Sequence, residues 1–259
     1  MNSFDSHFST IASKYWQLRT TDSEPICYIW EKLQNLQKIV AADVGCGAGR
    51  YVIKLFQYLG NKLYLYCIDC NESMLKKLEA CLIQNRIRKF QIRKSHANKL
   101  PLPSNSFDSV FTFNAVHHFA IVEFLNEVVR ILKPGGYLFI YTRLRSQNRR
   151  NIWGKYFPSF TEKETRLYEL EEFKNIVEEV PDLEMEDVRY FKYQRTSSLD
   201  YLLRQVQHHH YSTFNYYTDD EFEKSLTRFN QNIRRNFSDV EHITWTDENV
   251  LLIERKRFH

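Results

Sequence analysis

Seven glycines serve the whole 259-residue chain, and three of them, Gly45, Gly47 and Gly49, fall within five consecutive positions. They follow Ile-Val-Ala-Ala-Asp-Val (39–44), short and without apolar–polar alternation, as in a strand buried on both faces. They precede 50–59, which reads as a helix ended near Gly60. A chain so sparing of glycine spends it where the backbone must turn tightly and let a ligand approach closely. A strand, a glycine loop and a helix in that order commit the chain to an α/β architecture.

The alternation continues along the chain. Residues 24–37 read as a helix with Ile26, Ile29, Trp30, Leu33 and Leu36 on one face. Strands are expected at 63–68, 90–93, 107–113 and 137–142, with helices at 72–84 and 120–132 between them. Lys133-Pro-Gly-Gly136 is the turn into the fifth strand. This pattern predicts a doubly wound, mostly parallel sheet with helices on both faces. Beyond Pro158 there is no glycine. There, 162–179 reads as an acidic helix, 183–193 as a sixth strand, 199–207 and 219–235 as helices, and 249–254 as a seventh strand. Two helices exceed what a crossover needs, and they are expected to form a helical cap rather than a separate domain. The expected organisation is one domain over 1–259, with a helical lid at 1–37, a core at 38–145 and the cap-bearing remainder at 146–259.

Hydrophobic residues make up 43% and charged residues 26%, which excludes a disordered or low-complexity chain. No run of about 18 apolar residues exists, so no membrane span is expected. The N-terminus lacks the basic-then-apolar pattern of a signal peptide. Five scattered cysteines, an odd number, point to reduced thiols and a cytoplasmic protein. The net charge of +4 is too mild to argue for nucleic-acid binding by itself.

Two carboxylates frame the glycine loop. Asp43 stands two places before Gly45, and Asp69 ends the second strand about twenty residues after the cluster, the spacing at which a carboxylate meets a ribose diol. A dinucleotide fingerprint would place its third glycine at position 50, which is Arg. The pocket therefore suits a nucleoside carrying little phosphate, and a nicotinamide dehydrogenase fits least.

At VAADVGCGAGRY, CIDCNESML, KLPLPSNSFDSVFTFNAVHHF and LKPGGYLFI the chain resembles the class I S-adenosylmethionine-dependent methyltransferases, especially the UbiE-like small-molecule group. The resemblance covers roughly residues 12–142. It implies S-adenosylmethionine as cofactor and the strand order 3-2-1-4-5-7-6 with the seventh strand antiparallel. It places Gly45, Cys46 and Gly47 against the methionine part of the cofactor, with Asp43 steering its ammonium group. Asp69 would hold the ribose hydroxyls, Cys70 and Met74 would flank the adenine, and Asn114 would sit near the methionine end. His96 stands where the family usually has Asp before the residue equivalent to Ala97, so adenine recognition is expected to be weaker or pH-sensitive. Tyr15 and Arg19 match weakly a lid over the cofactor.

His117 and His118 follow the fourth strand, where a general base for the methyl acceptor would stand. The alternative is that one of them caps or packs against the next helix. His208, His209 and His210 invite a metal reading, but consecutive helical residues point about 100° apart and no ligand spacing surrounds them, so no metal is expected. Cys67 and Cys70 read as buried thiols rather than a redox pair. Trp153, Tyr211 and Tyr216, with Phe214 and Tyr217, are candidates for an apolar acceptor pocket, with core packing as the equal alternative. Arg143, Arg145, Arg149 and Arg150 could bind an acidic substrate or RNA phosphates, or form a solvated loop. The reading is methyl transfer to O, N or C of a small-molecule acceptor. Its rivals are a tRNA-modifying methyltransferase, because AVHHF and YTRLRSQNRR look something like the wobble-uridine enzymes, and a cofactor-binding protein without turnover.

Overall fold

The computed structural model describes residues 20–258. Tyr15, Arg19 and the rest of the expected lid up to residue 19 lie outside the described residues. In chain order the elements are α1 (Glu24–Leu33), β1 (Ile39–Val44), α2 (Arg50–Leu59), β2 (Leu63–Asp69), α3 (Glu72–Gln84), β3 (Phe90–Lys94), β4 (Phe107–Phe113), α4 (Ile121–Ile131) and β5 (Leu132–Thr142). Then come α5 (Arg145–Arg150), α6 (Ile152–Tyr156), α7 (Phe160–Lys163), α8 (Leu170–Glu178), β6 (Leu183–Ser197), α9 (Leu199–Gln207), α10 (Asp219–Asn236) and β7 (Ile243–Lys256).

The strands form one seven-stranded sheet in the order β3-β2-β1-β4-β5-β7-β6. Neighbours from β3 through β5 run parallel, and β7 is antiparallel to β5. This is the expected doubly wound sheet and its order. Ala41, Ala42 and Val44 of β1 are all buried, which is why that strand shows no alternation. Helix α4 turns Phe124, Leu125, Val128 and Ile131 inward, the stripe of a helix with one covered face. Because order reverses between β1 and β4, the carboxyl ends of these two strands flank the crevice where such sheets take ligands.

The chain folds as two compact units. A sheet unit comprises Thr20–Thr142, Leu170–Arg189 and 250–258, and a helical unit comprises Arg143–Glu169 and Tyr190–Asn249. The helical unit has its own core, in which Trp153, Phe157, Phe160, Phe214 and Phe229 are buried among Leu202, Val206 and Ile233.

Several boundaries differ from expectation. The acidic helix at 162–179 is two helices, α7 and α8, broken at 164–169. There the buried Glu164 carboxylate accepts from the Arg166 guanidinium and from Thr213 Oγ1, holding a turn that a continuous helix would pull apart. Strand β7 begins at Ile243 rather than Asn249, and its polar start, Thr-Trp-Thr-Asp-Glu, masks it as loop. Its acids are paired with arginines of the same unit, so no apolar pattern is needed to bury them. Strand β6 runs on to Ser197, and Gln194 there donates to Thr246 Oγ1 of β7. Helix α1 stops at Leu33, and Trp30 is exposed while Ile26, Ile29 and Leu33 are buried. The short helices α5 to α7 in the helical unit were hidden in a stretch without clear periodicity.

Candidate active site

The glycine loop is pinned to β2. The backbone N–H groups of Gly45 and Cys46 both donate to Ile68 O (2.8 and 3.1 Å), and Gly49 N–H closes the loop onto Cys46 O (3.0 Å). Gly45 has φ +75°, and a Cβ there would meet Ala115 Cβ at 2.6 Å and Phe119 Cζ at 3.0 Å. Only glycine therefore lets the segment after β4 close against the loop. Gly47, at φ +53°, is different: a Cβ there would have nothing within 4 Å. Among the described residues, nothing fills the space within 4 Å of that position.

Asp69 organises the other wall. Its Oδ2 accepts from Gly47 N–H and its Oδ1 from Asn71 N–H, each at 2.8 Å. Asn71 in turn caps α3 by accepting from Met74 N–H (3.0 Å). A carboxylate oxygen has more than one acceptor lobe, so Asp69 held in this way still has capacity for hydroxyl donors. Asp43 lies at the end of β1, 1% exposed, with its Oδ1 lacking any hydrogen-bond partner. Burial, reinforced by the charge of Asp69, pushes its carboxyl well above the ordinary carboxylate range. Among the described residues no cation meets this acid.

Cys46 is half-buried and its thiol is pushed up by burial and by a hydrogen bond with the Cys67 thiol, so it packs rather than reacts. Cys67 is buried as expected, but Cys70, the residue before the Asn71 cap of α3, is exposed. Met74 is 2% exposed on α3. His96 is exposed and Ala97 half-buried, just after β3, where Ser95 N–H donates to Asp69 O (3.1 Å). Asn114 follows β4 in the left-handed region (φ +53°), with its N–H on Tyr141 O at 2.7 Å. His117 and His118 lie on a 3₁₀ turn (Val116–His118), ring centroids 4.2 Å apart, the first half-buried and the second exposed. The residue that caps α4 is Ala120, so neither histidine is its cap. The loop, both strand-end acids and the histidine turn thus come together in the sheet unit.

The sequence pointed to no role for Asp22, Arg50, Tyr51 and Tyr141, which lie beside Asn114. Tyr51, at the start of α2, is buried, its ring stacked on Phe113 (centroids 4.3 Å apart) and tilted against Tyr141 (5.7 Å). Tyr141 donates to Asp22 Oδ2 (2.8 Å), and Arg50 donates to Thr20 O (2.8 Å). The only signal in the sequence was the Tyr that ends the loop motif, and a tyrosine on a helix reads first as packing.

In the helical unit Trp153 is 4% exposed, stacked near Phe229 at 5.2 Å in the core. Tyr211 is half-buried with its hydroxyl accepting from Arg143 (3.2 Å), and Tyr216 is exposed under the Arg166 guanidinium. The three histidines do not share a helix, as the sequence argument assumed: α9 ends at Gln207, and His209 is left-handed at φ +46°. His209 bonds Asn215 and His210 bonds Gln205 O, and no metal-ligating group of three appears among the described residues. The arginine stretch is α5 rather than a loop. Arg143 pairs with Asp247, Arg150 with Glu248, and Arg145 donates to Leu167 O (3.0 Å).

Residues 42–140 match the family described as methyltransferase domain. The tRNA (carboxymethyluridine(34)-5-O)-methyltransferase ALKBH8 of Macaca fascicularis is 31% identical over 189 residues, 70% of this chain and 26% of that protein. Demethylmenaquinone methyltransferase of Geobacillus stearothermophilus is 31% identical over 137 residues, 50% of this chain and 58% of that protein. The chain carries a methyltransferase domain at residues 42–140 and is similar to the UbiE-like group of class I S-adenosylmethionine-dependent methyltransferases. A SAM-dependent methyltransferase from Aquifex aeolicus has the same fold, with a TM-score of 0.53 at 23% identity, over 72% of this chain and 92% of that one. The chain spans between about a quarter and under two thirds of the length of these two sequence relatives.

The residues present fit the methyltransferase cofactor, S-adenosylmethionine. A buried acid with an orphaned oxygen suits an ammonium group, a strand-end carboxylate suits a ribose diol, and the open backbone at Gly47 suits close approach. No helix among the described residues is long and apolar enough to cross a membrane.

Proposed function

We propose that this methyltransferase moves a methyl group onto an oxygen, nitrogen or carbon of a small-molecule acceptor by in-line displacement. The observation that carries the reading is Asp43: a buried carboxylate with an unpartnered oxygen, at the carboxyl end of β1 and beside Asp69. S-adenosylmethionine supplies, when bound, a methyl group on a positively charged sulfur. Asp43 then neutralises the ammonium of its methionine part, and Asp69 takes the ribose hydroxyls while keeping its bonds to Gly47 and Asn71. Cys46, Cys70, Met74, His96 and Ala97 line the same reading around the loop and the adenine, and Asn114 stands at the methionine end. Displacement at a sulfonium needs alignment above all, so rigid anchoring of the loop on β2 is the protein's main contribution. His117 or His118 takes the acceptor's proton where the acceptor is a hydroxyl or carbon acid. Trp153, Tyr211 and Tyr216 are the aromatic candidates for the acceptor.

The small-molecule reading is supported by the demethylmenaquinone methyltransferase relative. It is supported too by the engagement of Arg143, Arg145 and Arg150 within their own unit, which leaves that stretch poor in cations to offer phosphates. The test has two stages. Calorimetry with S-adenosylmethionine should show binding that Asp69→Ala weakens roughly tenfold or more. Transfer from labelled cofactor is then measured on phenol, quinol, amine and carbon-acid panels and on bulk tRNA. Label in tRNA alone would overturn the small-molecule acceptor, and cofactor binding without label in any acceptor would favour a binding protein without turnover.

A further inference from the structure

The whole chain is net +4, yet residues 72–99 alone carry eight Lys and Arg against two acids, Glu72 and Glu79, with histidine counted neutral. That one stretch is net +6, so the rest of the molecule is net −2. It comprises α3, the edge strand β3 and their flanks, all within the sheet unit. Between Glu79 and Asp108 there is no acid, and Arg86, Arg88, Lys89, Arg93, Lys94 and Lys99 are all exposed. Among the described residues, Glu72 pairs with Lys76 and Lys94, and no ion pair neutralises the other cations of the stretch. Lys89 and Arg93 donate to neutral oxygens, Asn61 O and Gln91 Oε1, so their charge stays uncompensated. An edge strand carries cations to turn away a stray partner strand. Arg86, Arg88 and Lys99 lie outside the five residues of β3, so that role does not account for them. An apolar side chain stands among these charges. Ile83, near the end of α3, is 64% exposed, and its carbonyl accepts from Arg86 N–H at 2.9 Å.

We propose that the α3–β3 edge is a docking surface for an anionic lipid bilayer, with its cations on the headgroups and Ile83 entering the boundary of the acyl chains. Lys and Arg near a negatively charged leaflet are drawn to it within a Debye length, and an apolar side chain set among them gains where hydrocarbon is in reach. A nucleic acid shares the attraction of its phosphates, but a single strand is held by bases stacked on aromatic rings. Phe90 is the one Phe, Tyr or Trp in 72–99, and it is half-buried in β3. An exposed isoleucine among cations therefore suits lipid better than bases. Ile83, Arg86 and Arg88 take no part in the cofactor site, so docking and methyl transfer are separable.

The full chain is sedimented with vesicles of phosphatidylcholine containing phosphatidylserine, and with vesicles of phosphatidylcholine alone. Binding is expected to the first, weakened by salt, and not to the second. Arg86→Gln and Arg88→Gln should each lower the partition roughly fivefold, the share of one cation near a charged bilayer. Ile83→Ser should lower it about tenfold, since the side chain loses its hydrocarbon contact, and leave retention on poly(U) RNA unchanged. All three positions are exposed, so the melting temperature should stay at that of the natural protein and show that the fold is kept. Absence of binding to the anionic vesicles, equal binding to both compositions, or a partition indifferent to Arg86→Gln and Arg88→Gln would overturn the proposal. Tighter retention on poly(U) than on vesicles, with Ile83→Ser altering neither, would overturn it in favour of a nucleic acid. Each of these failures would leave the methyl-transfer reading untouched.

Discussion

Two pairs of acids sit at comparable depth in the two units and live in opposite circumstances. In the helical unit, Asp247 and Glu248 meet four cations: Arg143 and Arg195 flank the first, Arg150 and Lys192 the second. In the sheet unit, Asp43 meets no cation among the described residues and is further burdened by the charge of Asp69. Paired acids hold their own unit together. An acid without a counter-charge among the described residues, at the carboxyl end of a central strand, is placed to meet a cationic ligand. Each pair has one buried acid, Asp43 or Glu248, and one half-buried acid, Asp69 or Asp247; the difference is where the compensating charge comes from. Glu254 sharpens the point, since it too is buried with neither oxygen partnered. It lies opposite Leu138, four residues short of the carboxyl end of β5, whereas Asp43 is one residue short of the carboxyl end of β1. An orphaned acid marks a ligand site only in combination with position.

The comparison can be broken in four places. Arg143→Met should have the largest effect, since it leaves Asp247 only the longer contact with Arg195 and removes the guanidinium's bonds to Glu248 O and the Tyr211 hydroxyl. Unfolding free energy should fall by roughly 3 kcal/mol in denaturant melts. S-adenosylmethionine affinity of the folded fraction should stay unchanged, and a parallel loss of affinity would dissolve the distinction between the two acid pairs.

Asp43→Asn should do the reverse. Without a buried charge facing Asp69 the ligand-free protein should melt higher, while cofactor affinity drops about 10- to 100-fold with the lost charged partner. The pH dependence follows from the direction of its shift. The folded carboxyl binds its proton more tightly than the unfolded one, so its share of stability is full below the ordinary carboxylate value of about 4 and is lost as pH rises toward the raised folded value. Cofactor affinity, which needs the carboxylate, should rise over the same window. Titrations at several pH values should show that rise in the natural protein and its loss in Asp43→Asn.

Glu254→Met should gain about 1 kcal/mol near pH 8 by removing an unsatisfied buried group, and leave binding untouched. Burial holds its carboxyl high in the same way, so the gain should shrink as pH falls. Gly47→Ala should be smallest for the fold, about 1 kcal/mol for a left-handed alanine in open space. Its effect should instead appear in cofactor affinity, because the methyl group enters the space beside the loop. A variant that binds normally would show that the space is not used.

Much of the sheet unit was legible beforehand because its signals are local. Glycines between a strand and a helix, an acid at a strand end and a Lys-Pro-Gly-Gly turn each act within a few residues. Parallel strands buried on both faces announce themselves as unbroken apolar runs. The helical unit was less legible for a physical reason. Its strand starts and short helices are stabilised by ion pairs across long separations, such as Arg143 with Asp247 and Arg150 with Glu248, which leave no periodicity to read. The break between α7 and α8 depends on Glu164 meeting Thr213, 49 residues away.

The amino-acid order by itself determined the alternation of strands and helices, the glycine loop and the spacing of Asp43 and Asp69, since these depend on local propensity and on side-chain type. Only the tertiary structure decided that Asp43 goes without a counter-charge while Asp247 does not. Only it brought Tyr51, Asn114, Asp22 and Tyr141 to one point, because charge compensation and hydrogen-bond partnership are settled by which segments meet in space.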